Sequence, residues 1–185
     1  MRASASISPH ILGINMPSPR EGSFPSDQVP ALMRVLHAPH FSRGDRAALK
    51  RMAVKGLTPL AFERFLLRHL DPQWQGEAHR PSWRTVLSAL ALQRGDSSYS
   101  PAVPLGRALE QAGYSELRLE RLLGAEGSVL HVLALRAARV LAAKSAPCDW
   151  REFCALLFAA PGASRERINS RIAREFYRAQ SAEER

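Results

Sequence analysis

Cysteine is nearly missing from this 185-residue chain, which has only Cys148 and Cys154. Six positions apart on what reads as one helix, the two thiols cannot reach each other. No intrachain disulfide is expected, and a reducing cytoplasm is the expected compartment. Long apolar runs are missing too. Near the N-terminus, Ile11-Leu12-Gly13-Ile14 is too short for a signal peptide or a membrane span, so no membrane partner is expected. No phosphate loop ends in Gly-Lys-Ser/Thr, and no dinucleotide-type glycine pattern occurs. His37 and His40 straddle Pro39 and cannot share a helix face as ligands, while His131 reads as a packed residue. Neither cysteine has a neighbouring histidine or a metal-ligand spacing. No catalytic residue, metal site or cofactor is expected. Period-two alternation is absent from every window, which leaves an all-α fold. There is no repeat at fixed spacing.

Lysine is also scarce, at three of 26 basic residues, and the other 23 are arginine. Arginine is always charged and offers paired planar donors, a chemistry suited to phosphate. The net charge is +9 and unevenly spread: residues 42–94 hold ten basic residues against four acids. A polyanionic partner is therefore sought first in that third of the chain.

Residues 1–25 are rich in serine, proline and glycine and read as a flexible tail. Ser26 or Asp27 caps a first helix with Val29, Leu32, Met33, Val35 and Leu36 on its apolar face, and Pro39 ends it. Ser42-Arg43-Gly44-Asp45 opens a second, with a serine cap and an acid three residues on. Arg43, Arg46 and Lys50 share one side of it with Arg51 alongside, and Leu49 and Met52 share the other. Further helices start at Thr58-Pro59 and at Pro81-Ser82. Gly95 to Pro104 has turn formers and no helical period, so it reads as a linker. It divides two small helical bundles, residues 26–95 and 104–182.

Beyond it come short helices from Leu105 and from Glu116, the latter capped by Ser115. On that second helix Arg118 and Arg121 lie on one side and Glu116 and Glu120 on the other. Ser128 to Lys144 is apolar nearly all round, which predicts an enclosed central helix. Its strongly polar interruptions, Arg136 and Arg139, emerge together. They either snorkel into solvent or present two guanidinium groups to an anion. Asp149 caps a helix through Phe158, and Ser164 caps the last. There Arg167, Arg171, Arg174 and Arg178 form a stripe opposite Ile168, Ile172 and Phe176, which reads as a solvated face.

Several of these runs resemble a known family. Leu105-Gly106-Arg107-Ala108-Leu109, then Gly113, Arg118, Arg121, Leu122 and Leu123, are similar to the small subunit of type I-E CRISPR Cascade, the CasB family. Asp149-Trp150, Leu156-Leu157 and Ile172-Ala173-Arg174-Glu175-Phe176-Tyr177 fit its C-terminal half, and Ser42 to Arg51 fits its basic N-terminal helix. Order and spacing from Ser42 to Arg178 carry the resemblance, and the first forty residues stay unassigned. It implies two helical bundles, no catalysis, and assembly with other Cascade subunits and a second copy of the chain. It also implies basic surfaces that hold CRISPR RNA, target DNA and the displaced strand, stabilising the guide–target hybrid by phosphate contact while base pairing supplies specificity. The residues expected to carry this are Arg43, Arg46, Lys50, Arg51, Arg107, Arg118, Arg121, Arg136 and Arg139. Two other classes stay open. A DNA-binding regulator would use the Leu105–Leu123 helix pair, and a helical adaptor would bind proteins alone.

Overall fold

The computed structural model describes residues 24–55 and 58–183. All but the last two positions of the expected tail lie outside the described residues. Among the described residues nine α-helices follow one another: α1 (Val29–His37), α2 (Arg43–Lys55), α3 (Leu60–His69), α4 (Arg80–Leu92), α5 (Leu105–Gln111), α6 (Glu116–Leu123), α7 (Gly127–Lys144), α8 (Trp150–Phe158) and α9 (Ala163–Glu183). Among the described residues the only extended pairing is a single parallel bridge between Tyr99 and Cys148. The chain is all-α.

Local capping bonds open two of the helices, α2 and α8, whereas the Ser115 side chain makes none at α6. The Ser42 hydroxyl accepts from the Asp45 N–H at 3.2 Å and opens α2. The Asp45 carboxylate does not close a reciprocal box; it accepts from Arg64 of α3 at 2.8 Å. Asp149 accepts from the Arg151 N–H at 3.1 Å and opens α8. The start of α5 is capped from a distance, because buried Glu152 of α8 accepts the Leu105 N–H at 2.8 Å.

Helix α4 has a long enclosed run, where Trp83 through Ala91 are buried apart from Arg84. It packs against α2, α7, α8 and α1. Ser88 donates to the Leu49 carbonyl of α2 at 2.9 Å, and Ser82 to the Leu157 carbonyl of α8 at 2.8 Å. Toward α7, Thr85 meets His131 and Gln93 donates to the Ala138 carbonyl, so α4 and α7 run side by side in the same direction. One buried cluster extends from Val29 to Phe176, with Trp83, Trp150, Phe62 and Phe153 its largest members. Each large apolar side chain removed from water there contributes about 1.5–3 kcal/mol.

Neither Ser26 nor Asp27 caps the first helix, because Gln28 precedes α1 and makes no side-chain bond there, and Ser164 lies inside α9. Two further expectations change in detail. The apolar helix from Ser128 is α7, but it keeps a wet side: Val129 and Val132 are about half exposed. Apolarity all round marked a packing helix without showing that its first turns border an open groove. Cys148 is not on a helix with Cys154. It lies in the extended stretch before α8, where its N–H donates to the Ser98 carbonyl at 3.0 Å. Both thiols are buried and unpaired.

The stretch from Gly95 to Pro104 is held against residues 148–150. The Ser100 N–H donates to the Cys148 carbonyl at 3.0 Å, the Asp149 N–H to Val103 at 2.8 Å, and the Trp150 indole to Ser98 at 3.0 Å.

Candidate nucleic-acid interface

A groove with a cavity volume of about 680 Å³ opens where α3, α4 and α7 meet. Helical spacing explains its cations. Arg136 and Arg139 leave α7 on one side, and Arg80 and Arg84 lie one turn apart on α4; all four line the groove. The acids at this end are engaged. Glu63 takes a second Arg80 contact at 2.9 Å in a two-pronged pair, and Glu77 lies 2.7 Å from the Arg80 Nε. The Arg80 guanidinium holds the Glu63 carboxyl below the usual range. Arg84 reaches back to the Met52 carbonyl of α2 at 3.5 Å. Arg136 and Arg139 are exposed, and no ion pair restrains either among the described residues. They are the groove's uncompensated charges.

Arg118 of α6 does not line the groove but is exposed, and its charge acts on Tyr114 together with that of Arg136. Burial pushes the Tyr114 phenol up, and the positive charges of Arg118 and Arg136 both oppose that rise. The acids of α6 face elsewhere: Glu116 accepts from Tyr177 of α9 at 2.6 Å, and the Glu120 charge is felt at the same phenol. Charge is thus segregated across α6, and an acid beside each arginine would have cancelled its field at short range. Arg121 is exposed.

On α2, Arg43, Lys50 and Arg51 are exposed, and Arg46 is half-buried with a buried Nε that has no partner among the described residues. The acid in their midst, Asp45, is drawn to Arg64, which leaves the cluster's field largely intact. The buried Leu49 and Met52 fix this helix against α4, so its cations stand on a rigid base.

Arg107 stands apart from these groups. Its Nη2 lies 3.6 Å from Glu175 of α9, which also pairs with Arg178 at 2.8 Å. Arg171 pairs with Glu152 at 3.1 Å. Arg107 therefore belongs to an ion-paired surface around α9, in which Arg171 and Arg178 of that helix's stripe are also paired.

The sequence reading omitted Arg80, Arg84 and His131 as groove residues. The signal for the first two was present, as a basic pair spaced i, i+4 at the start of an otherwise apolar helix. His131 is half-buried; its Nδ1 lies 3.1 Å from the Thr85 hydroxyl, and burial lowers its pKa. Among the described residues no group of three or more His, Cys, Asp or Glu is arranged to hold a metal ion. No helix among them is long and apolar enough to cross a membrane.

Comparison with known proteins gives one result. No curated protein and no solved structure matches the chain. The family model for CRISPR-associated protein Cse2 matches residues 45–177, most of the chain, from the first turn of α2 to near the end of α9. The chain belongs to the Cse2 family, also called CasB, and is a type I-E Cascade subunit.

Proposed function

We propose that this subunit is a non-catalytic strand holder, gripping the phosphates of the guide RNA–target DNA hybrid and of the displaced strand. The observation that carries the reading is the placement of Arg136 and Arg139 on a groove whose acids are already engaged. Arg118 adds its charge from the neighbouring helix. The cluster of Arg43, Arg46, Lys50 and Arg51 adds a second patch on α2, while Arg107 contributes less because Glu175 shares its charge. The protein works in the cytoplasm, among other Cascade subunits and beside a second copy of itself. Rigid helices presenting guanidinium groups position a backbone without reading bases, and the guide supplies sequence specificity.

Salt titration tests this. Each neutralised phosphate contact lowers log affinity by about 0.7–0.9 per decade of salt. Alanine at Arg136 and Arg139, at Arg118 and Arg121, or at Arg43 and Arg46 should each make that slope shallower by roughly one to two units. Alanine at Arg171 and Arg178 should change it less, since both are ion-paired. If no pair alters binding to nucleic acid, the arginines are ordinary surface and a protein-only adaptor role stands instead. A strong preference for one duplex sequence would point to a regulator.

A further inference from the structure

The groove between α3, α4 and α7 offers more than charge. Its volume of about 680 Å³ lies in the range of sites that enclose a small ligand. A duplex is far too broad to enter, whereas one nucleotide fits. Between the cations runs an apolar strip: Val132, 51% exposed, and Leu135, with buried Phe62 behind. A surface that only follows phosphates gains nothing from a bare valine among its arginines, since covering it needs an apolar partner. Polar groups that are uncharged stand next to the strip, at Thr58, Ser128 and the Thr85–His131 pair.

The hydrogen bonds fix what His131 presents. The Thr85 hydroxyl has one proton, which it donates to the Pro81 carbonyl at 3.2 Å. Its 3.1 Å contact with His131 therefore has Nδ1–H donating and the hydroxyl accepting. In the neutral ring Nε2 then carries a lone pair. The neutral ring is the favoured form, because burial disfavours the charged one. An apolar wall, one edge acceptor and adjacent guanidinium groups together match a flat heterocycle bearing phosphate.

We propose that the groove receives a single unstacked nucleotide of the bound strand, its base against Val132 and Leu135 and its flanking phosphates on Arg136 and Arg139. The proposal rests on the strand-holding reading and adds a base-accepting pocket to it. Every nucleobase carries an N–H on its pairing edge, so His131 Nε2 accepts from any of the four, and the pocket is indifferent to sequence.

The test compares the full chain's affinity for an oligothymidine strand and for an abasic strand of equal length, by fluorescence anisotropy at low salt. The two strands carry the same phosphates, so a surface that grips phosphate alone binds them equally. The pocket should favour the base-bearing strand about tenfold, within the range for one base held against a protein surface. Val132→Ser, at a half-exposed position that tolerates a polar group, and His131→Ala should each abolish most of that preference. Equal affinity for the two strands, or a preference that both variants keep, overturns the pocket and leaves the phosphate reading standing. A protein that binds neither strand overturns the strand-holding reading and the pocket with it.

Discussion

Gly106 and Ile172 meet backbone to backbone: a β-carbon on Gly106 would stand 2.0 Å from the Ile172 carbonyl oxygen and 2.8 Å from the Phe176 nitrogen. Real atoms do not approach so closely, so any side chain here must push α5 away from α9. That contact is extensive and well packed, with Leu105, Ala108 and Leu109 on one side and Ile172 and Phe176 on the other, all buried. Forced overpacking costs about 1–3 kcal/mol, and more when backbone is the obstacle. Gly106→Ala should therefore cost about 3 kcal/mol or more, lowering Tm by roughly 6–12 °C in a chain of this size. Thermal denaturation followed by circular dichroism decides it. A Tm within a degree or two of wild type would mean that the helices do not cross where the structure puts them.

Arg165 makes a second prediction, because it serves helix ends rather than a ligand. Its guanidinium donates to the Leu156 carbonyl in the last turn of α8 at 2.8 Å and to Ala125 just beyond α6 at 3.3 Å. It also holds Asn169 at 3.1 Å, whose amide donates to the Leu123 carbonyl at 2.9 Å. The last carbonyls of a helix lack partners within it, and a cation there also meets the favourable end of the helix dipole. Arg165→Met should cost about 3 kcal/mol, from hydrogen bonds to a charged donor worth about 1.5–3 kcal/mol each, partly recovered by water. Lysine should not rescue it, because one ammonium cannot span carbonyls from two helices. Denaturant midpoints of the two variants are the measurement, and equal stability of lysine and arginine would refute the bridging role.

Two carboxyls should respond to acid in opposite senses. Glu63 is held below the ordinary value by its hydrogen bonds from Arg80. Its stabilising pair is therefore complete above the unfolded value near 4.5 and is lost as pH falls through the lower folded value. Glu152 is raised, chiefly by burial, although the Leu105 N–H and Arg171 oppose the rise. Its charged form is the costly one, so its penalty is relieved as pH drops from the raised folded value toward 4.5. In Tm measured from neutral pH to about pH 3, Glu63→Gln should flatten the acid-side decline and Glu152→Gln should steepen it. Profiles parallel to wild type for both variants would remove these groups from the account.

How much of this was legible in the sequence varies by element. The caps at Ser42 and Asp149 were readable, because a polar side chain before an apolar run can satisfy an N–H within three residues. The cap on α5 was not, since its acceptor, Glu152, lies 47 positions away. Arg136 and Arg139 were recognisable as a pair from spacing on one helix. That they share a groove with Arg84 depends on α4 and α7 lying side by side, which no local pattern encodes. Arg107 looked like its neighbours in sequence, and only the return of α9 brings Glu175 within 3.6 Å of it. The enclosure of α4 was also hidden. Its serine and threonine read as polar, yet Ser88 and Thr85 are buried because each donates to a backbone carbonyl.

The last prediction concerns the stretch from Gly95 to Pro104, proposed as the boundary between residues 26–95 and 104–182. Proteases cut chain that can open locally over several residues, and an exposed tip alone is insufficient. Pro101 and Ala102 are exposed, but Ser98, Ser100 and Val103 on either side are hydrogen-bonded to residues 148–150. Cleavage here should therefore be slow in the wild type. Trp150→Phe keeps an aromatic ring and deletes the indole bond to the Ser98 carbonyl, so it should speed this cut several-fold. Scattered cleavage along the whole chain would instead report global unfolding. The fate of the fragments then tests the boundary. Ser82, Thr85 and Gln93 on one side bond to Leu157, His131 and Ala138 on the other, and both sides contribute to one buried cluster. The two pieces should co-elute on gel filtration after the cut and separate only in denaturant. Pieces that part in native buffer while keeping helical circular dichroism would make each bundle an independent folding unit, with α4 and α7 merely docked.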